Sequence, residues 1–376
     1  MAGLYIHIPF CASKCIYCDF YSMPGHLDEA SRYVSALVAE ARLRRSELHE
    51  PVTTLYVGGG TPSLLSLDWV GALVSGLSRV FDLSGVEEFT VEVNPDDVTA
   101  AYIAGLKALG VNRVSMGVQS FNDAELRLIN RRHTARQAVD AVHAIHAAGI
   151  HNISIDLIYG IPGQSLASWR KSVRQAVALG VQHISAYSLM YEPGTRLWVM
   201  REQGKVTEVD DDTVVAMYQA LCQLLHRAGY CHYEISNFAL PGYYSRHNSS
   251  YWDLTPYLGL GAAAHSYDGQ LRRHNPARLK SYLDSIEAGK CCFEAEQEQP
   301  WERYDEYVML RLRTAAGLDL GLLRQRFGTA FASYFHSHAA PLLGSSLCLD
   351  DGRYHIPEDH VMMTDAITRD LLWDQD

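Results

Sequence analysis

Cys11, Cys15 and Cys18 fall within eight positions of the stretch "YIHIPFCASKCIYCDF", directly behind a short apolar run. Thiols at Cys-x3-Cys-x2-Cys spacing admit four readings: structural zinc, a redox dithiol, an iron–sulfur cluster, or packing. Structural zinc requires four ligands closing a tetrahedron, with the second pair commonly about 12 to 20 residues downstream. Residues 19–40 offer only His26. A redox dithiol pairs Cys15 with Cys18 and leaves Cys11 without a role. Packing suits poorly three thiols on a loop that also carries Lys14 and Asp19. Iron–sulfur clusters take thiolate ligands, four in the usual case. Three thiolates on a 4Fe-4S cluster leave one iron open, as an enzyme requires when a substrate must bind the metal. The spacing therefore points to a 4Fe-4S cluster held by Cys11, Cys15 and Cys18.

The elements that must hold this loop alternate regularly. "LYIHIPF" (4–10) precedes a helical stretch at 27–48, "TTLYVGGG" one at 66–79, and "EFTVEVNP" one at 99–109. "NRVSMGVQSF" leads to two helical runs at 122–130 and 134–148, "HNISIDLIYG" to 165–179, and "HISAYSLMYEP" to 211–228. Six βα units in a row predict an α/β fold with a parallel sheet and right-handed crossovers, either doubly wound or a barrel. Gly and Pro follow the strands directly, and polar residues gather at the same ends: Thr61, Glu92, Asn94, Gln119, Asp156, Tyr187 and Ser188. In parallel α/β folds the site lies at the carboxyl ends of the strands. Six units instead of eight predict a partial (βα)6 TIM-like barrel whose open side admits a large substrate.

Residues 1–240 are read as this barrel. Residues 241–300 are aromatic and Gly-rich, too irregular for another βα unit, and read as a connecting segment packed on the barrel. Residues 301–376 read as a smaller, mainly helical domain, in which three helices and a hairpin turning at "DDG" give a winged-helix-like shape. Such shapes often bind DNA, yet from residue 301 there are seven Lys plus Arg against twelve Asp plus Glu. The formal charge of -11 over 376 residues likewise disfavours a nucleic-acid partner. No apolar run reaches 18 residues and no signal-peptide pattern opens the chain, so a cytoplasmic protein without a transmembrane segment is expected. Docking at a membrane through a protein partner stays open. The other five cysteines lack regular spacing and read as reduced thiols. "GLGAAA" (259–264) matches a dinucleotide-loop pattern but follows no clear strand and precedes no long helix, which speaks against that use.

The cysteine loop after a first strand, with Tyr17 just before the third Cys, resembles the radical S-adenosylmethionine (SAM) enzymes. "YIHIPFC", "GGGTP", "GVQSF", "INRRH" and "DLIYGIPGQ" are similar to the branch containing the oxygen-independent coproporphyrinogen III dehydrogenases and the HemW group. The resemblance implies that SAM chelates the fourth iron and is cleaved to a 5'-deoxyadenosyl radical. It implies SAM contacts at Tyr5, Tyr17, Gly59, Gly60, Thr61, Glu92, Gln119, Arg131 and Asp156, with Ser188 and His265 aligned more loosely. Glu92 suits the SAM ammonium, Asp156 the ribose hydroxyls, and Arg131 or Gln119 the carboxylate or sugar. The glycines let backbone approach the ligand closely. The dehydrogenases carry a fourth cysteine two residues after the third and a longer N-terminal arm; here Cys18 is followed by Asp19 and Phe20, and the first strand is read from residue 4. Both departures, and "HNSSYW" at 247–252, point to the HemW group, for which a haem chaperone role is implied: binding haem and passing it to acceptor haemoproteins. His247 is the candidate axial haem ligand, set beside Tyr251 and Trp252; the alternative is a residue that braces its loop. Oxidative decarboxylation of coproporphyrinogen III is the competing function.

Overall fold

Along each of the six strands apolar residues occupy alternate positions, which in extended backbone puts them on one face. The computed structural model, which describes residues 2–374, forms β1 (Ala2–Ile8), β2 (Val52–Gly59), β3 (Glu88–Val93), β4 (Arg113–Gln119), β5 (Asn152–Tyr159) and β6 (His183–Ser188). Leu4, Ile6 and Ile8 of β1, Leu55 and Val57 of β2 and their counterparts on β3 to β6 share one core with the surrounding helices. These helices are α1 (Ala30–Arg44), α2 (Leu67–Ser78), α3 (Ala100–Ala108), α4 (Asp123–Leu128), α5 (Ala135–Ala147), α6 (Leu166–Ala178), α7 (Arg196–Glu202) and α8 (Asp211–Arg227). Ser66, Thr99, Thr134, Ser165 and Asp210 cap α2, α3, α5, α6 and α8 by accepting first-turn amides, so each helix starts where its strand-end loop stops. The intervening positions carry Tyr5, His7, Tyr56, Thr90, Glu92, Arg113, Ser154, Asp156, His183 and Ser185, and they line the opposite, concave face.

β1 to β6 pair in chain order, all parallel, the arrangement of a barrel wall and not of a doubly wound sheet. The segment after residue 240 departs from expectation. It forms α9 (Arg246–Trp252) and a further strand, β9 (Tyr257–Leu260), which runs parallel to β1 on its free edge with Leu4 opposite Leu258. A seven-residue helix and a four-residue strand are too short to show a period in sequence. β10 (His265–Tyr267), β11 (Arg272–His274) and β12 (Glu294–Glu296) extend this edge antiparallel, and β7 (Cys231–Glu234) with β8 (Asn237–Ala239) closes the far edge as a hairpin. Among the described residues β7 and β12 do not pair, so the sheet stays open.

"GLGAAA" is held by α1. Glu40 and Arg44, each 1% exposed, form an ion pair at 2.9 Å. Glu40 accepts from Gly261 N, Asn275 Nδ2 and Tyr282 Oη, while Arg44 donates to Gly259 O. The loop amides that a dinucleotide would need are therefore spent on side chains of the same chain. Tyr282 lies on α10 (Leu279–Glu287).

A second core gathers α11 (Pro300–Leu312), α12 (Leu320–Phe327), α13 (Thr329–Ala339) and α14 (Thr364–Arg369), joined by Leu254, Tyr257 and Tyr267 of the preceding segment. β13 (Leu318–Asp319), β14 (Cys348–Asp350) and β15 (Arg353–His355) make a small sheet in which β15 is central, with the turn at Asp351 and Gly352 in the left-handed region. No described helix is long and apolar enough to cross a membrane.

Glu40→Ala removes one of the two carboxylates on the buried Arg44 guanidinium, Glu47 being the other, and strands the Gly261, Asn275 and Tyr282 donors. A loss of about 3–5 kcal/mol is expected in urea unfolding, whereas Arg136→Ala, at an exposed pair, is expected to change stability by less than about 1 kcal/mol.

Candidate functional site

The cysteine loop leaves β1 at Phe10 and Cys11, which pair in parallel with Met23 and Pro24. Between these anchors the loop is fastened from several sides. The amide of buried Ile16 donates to Ile129 O at 3.3 Å, and Asn130 Nδ2 donates to Lys14 O at 2.9 Å. Arg131 Nη1 lies 3.5 Å from Cys15 Sγ, and Leu197 N, at the start of α7, donates to Ile16 O at 2.8 Å. Thr61 Oγ1 approaches Cys11 Sγ at 3.4 Å, and Tyr17 packs against Ile129, Ile158 and Ile161. The motif "INRRH" thus acts mainly as a clamp on the cysteine loop. The three thiols remain partly exposed, and Cys15 and Cys18 line a cavity of about 490 Å³ with Lys14, Asp19 and residues Pro193–Arg196.

Behind the loop the strand ends converge. Glu92 accepts from Tyr56 Oη at 2.8 Å and from Gly59 N at 2.9 Å. Burial, reinforced by the Asp156 charge, raises its carboxyl to about 7. Burial likewise raises Asp156 to about 6, against the pull of a Ser185 hydrogen bond and of Arg113. Arg131 Nη2 bridges Asn94 Oδ1 and Gly117 O, tying β3 and β4 to the cysteine loop. Gln119 sits at a register shift at the end of β4 with φ +67, a left-handed conformation that aims its amide back across Gly117. The glycines serve a purpose the sequence does not disclose. A Cβ on Gly58 meets Glu92 Oε1 at 2.8 Å, one on Gly59 (φ +112) meets His7 at 2.7 Å, and one on Gly60 meets Phe10 O at 2.7 Å. The space they leave is filled by this chain's own side chains and backbone.

Tyr5 lies in the same lumen, its hydroxyl 3.0 Å from His7 Nδ1. Ser188 is exposed at the end of β6, and His265 is exposed on β10 with its ring 5.5 Å from that of His274, at the β9 edge. The structure therefore brings Tyr5, Tyr17, Gly59, Gly60, Thr61, Glu92, Gln119, Arg131 and Asp156 around one mouth, with Ser188 and His265 at its margins.

His247 occupies a different place. It is 1% exposed on α9, beneath the amino ends of β1 and β2. Nδ1 pairs with Thr54 Oγ1 at 2.8 Å, Nε2 with Tyr251 Oη at 2.8 Å, and the ring stacks 5.1 Å from Tyr56. Glu88 accepts the amides of Arg246 and His247 and so holds the helix start. Burial, aided by Arg113, lowers the ring to about 3, which keeps it neutral. In this arrangement neither nitrogen is free for an iron, and the residue forms the floor of the lumen, the bracing alternative read from sequence.

Some participants are invisible to sequence reasoning. Arg113 is 1% exposed, its Nε lacks a partner among the described residues, and it is the cation facing Asp156 and Glu92. Its inward position in "NRVSMGVQ" is the available signal. Gln164 and Glu125, buried together, brace the β4 and β5 loop ends through Gly160 N, Ser120 Oγ and Ser168 Oγ.

Comparison with known proteins gives a consistent placement. Residues 5–176 match the family model "Radical SAM superfamily", and residues 299–359 match "HemN C-terminal domain". The chain is 35% identical to "Heme chaperone HemW" of Lactococcus lactis subsp. lactis, over 92% of this chain and 90% of that one. It is 34% identical to "Heme chaperone HemW" of Bacillus subtilis, over 97% and 95%. The solved coproporphyrinogen III oxidase (HemN) of Escherichia coli, described as a radical SAM enzyme, superposes with a TM-score of 0.84 at 24% identity, over 98% of this chain and 89% of that one. That likeness concerns the fold.

His247→Ala opens a cavity and strands the Thr54 and Tyr251 hydroxyls, so a loss of about 2–4 kcal/mol is expected. Thermal unfolding of the reconstituted protein reads it, and an unchanged midpoint contradicts the floor assignment.

Proposed function

For a chain that belongs to the HemW family of radical SAM proteins, we propose the function of a haem chaperone that binds a 4Fe-4S cluster, SAM and haem and delivers haem to acceptor haemoproteins. The observation that carries this reading is the cysteine loop: three pinned, partly exposed thiols, followed by Phe20 with 67% of its surface exposed. The decarboxylases of the branch have a cysteine at that point.

The donor set fits the cluster, since three partly exposed thiols lie within eight residues of one loop and two of them, Cys15 and Cys18, line a cavity. Cys11, Cys15 and Cys18 would hold it, and when bound it supplies one open coordination position and an electron. This chain's own residues then position SAM. Glu92 offers a carboxylate to the amino group and Asp156 to the ribose, and Arg131, already steered by Asn94 and Gly117, offers a guanidinium to the SAM carboxylate. Tyr5, Tyr17, Gly59, Gly60, Thr61, Gln119, Ser188 and His265 complete the assigned contacts.

For haem, we assign the rim of the mouth. Phe20 and Met190 are 67% and 65% exposed, Tyr187 is 41% exposed, and Lys14 and Arg196 line the adjoining cavity. A porphyrin presents a flat apolar face and two propionates, which such a rim complements. Ligation by His247 requires one of its two hydrogen bonds to break and the floor to open. All eight cysteines are unpaired, in keeping with a reducing cytosol.

The decisive experiment uses the anaerobic, reconstituted protein with SAM and reductant. Haem is expected to bind with a defined absorption band and to pass to an apo-haemoprotein, and coproporphyrinogen III is expected to stay unconverted. Protoporphyrinogen formation, or no haem binding, overturns the reading. Cys15→Ala is expected to lose bound iron and sulfide and Cys222→Ala to keep them.

The raised carboxyl of Glu92 makes a second prediction. The folded state holds its proton up to about pH 7, so ionisation weakens the fold as pH rises from the ordinary carboxylate range through 7. A ligand N–H that needs the carboxylate must displace that proton below pH 7. SAM is therefore expected to bind about tenfold more weakly at pH 6 than at pH 8, and Glu92→Gln to flatten the dependence while weakening binding throughout. Equilibrium dialysis with labelled SAM measures both.

A further inference from the structure

Beside the last barrel helix, three stretches of chain converge on one carboxylate oxygen. Cys222 and His226 lie one turn apart on α8, His232 lies on β7, and Glu358 opens the turn after the small C-terminal sheet. Ligand atoms of Cys222, His232 and Glu358 lie within 4.8 Å of one another. Glu358 Oε1 is 2.9 Å from His232 Nδ1 and 3.2 Å from His226 Nε2.

His232 is oriented before any metal arrives. Its ring stacks on Phe238 at 4.1 Å and 9°, and Nε2 lies 3.3 Å from the carbonyl of Ile235. A neutral imidazole carries one N–H, yet this ring faces an acceptor at each nitrogen. An imidazolium satisfies both acceptors by donating at each nitrogen, and a metal cation on Nδ1 with the proton on Nε2 toward Ile235 satisfies them equally. A backbone carbonyl on the far nitrogen is also the usual support of a metal-bound histidine.

We propose that Cys222, His232 and Glu358 form a zinc-type metal site that fastens the last barrel helix to the C-terminal unit, with half-exposed His226, which reaches the group through Glu358, turning in as the fourth ligand. One sulfur, two imidazole nitrogens and one carboxylate oxygen suit four-coordinate zinc and disfavour magnesium or calcium. A cavity of about 260 Å³ lined by His226, His232, Glu358 and His355 provides the entry path. This site shares no residue with the cluster loop, and its loading is independent of the haem reading.

The test uses the full chain with its iron–sulfur cluster already reconstituted, so that Cys11, Cys15 and Cys18 are occupied. After incubation with zinc chloride and passage over a weak chelator, retained zinc and iron are quantified. About one zinc per chain is expected with iron unchanged, and a zinc-edge X-ray absorption spectrum showing one sulfur and three nitrogen or oxygen neighbours. Cys222→Ser and His232→Gln are each expected to lower retained zinc at least about tenfold without altering iron. His226→Gln, at a half-exposed position, gives the same direction should the buried variants fail to fold. No retained zinc, a zinc shell without sulfur, or equal retention by the folded variants overturns the proposal.

Discussion

The structure depends on one constraint: every polar side chain on the concave face of the sheet must find a partner, because the convex face has already consumed the apolar positions. Unpartnered polar groups in such a lumen are costly. Apart from Arg113 Nε, the chain meets the requirement by chaining them together. Tyr56 donates to Glu92, Glu92 accepts Gly59 N, Ser154 meets His183, and His247 plugs the floor between Thr54 and Tyr251. Arg113 balances the two acids. Pre-positioned carboxylates at the strand ends are a consequence of this packing as much as of ligand recognition.

That double use explains how the site is built. Arg131 steadies Cys15 with one nitrogen and two strand ends with the other, so cluster loop and lumen wall are one mechanical unit. Gly58 to Gly60 let β2 run close against β1 and leave room for Glu92 and His7. The absence of side chains at these three positions is needed for the wall to pack.

The sequence is most legible where a period is long enough to register. All six βα units and their order, and the three helices and hairpin that begin the C-terminal region, follow from apolar periodicity, while the short α14 escapes it. α9 and β9 are not legible, since each is too short for a period and their place beside β1 depends on a pairing some 250 residues apart in the chain. The environment of His247 is hidden for the same reason: Thr54, Tyr56 and Glu88 reach it from distant strands. Arg113 is visible as an inward-facing residue, but only the folded lumen shows that it stands opposite Asp156.

The fastening of the cysteine loop bears on how a cluster would enter. Small zinc modules fold as they bind metal, so part of their binding free energy is spent on ordering the chain. Here Ile129, Asn130, Arg131 and Leu197 order the loop through protein contacts alone. A cluster held by Cys11, Cys15 and Cys18 would add its bonds to a loop whose backbone is already tied to the turn at 129–131 and to the start of α7.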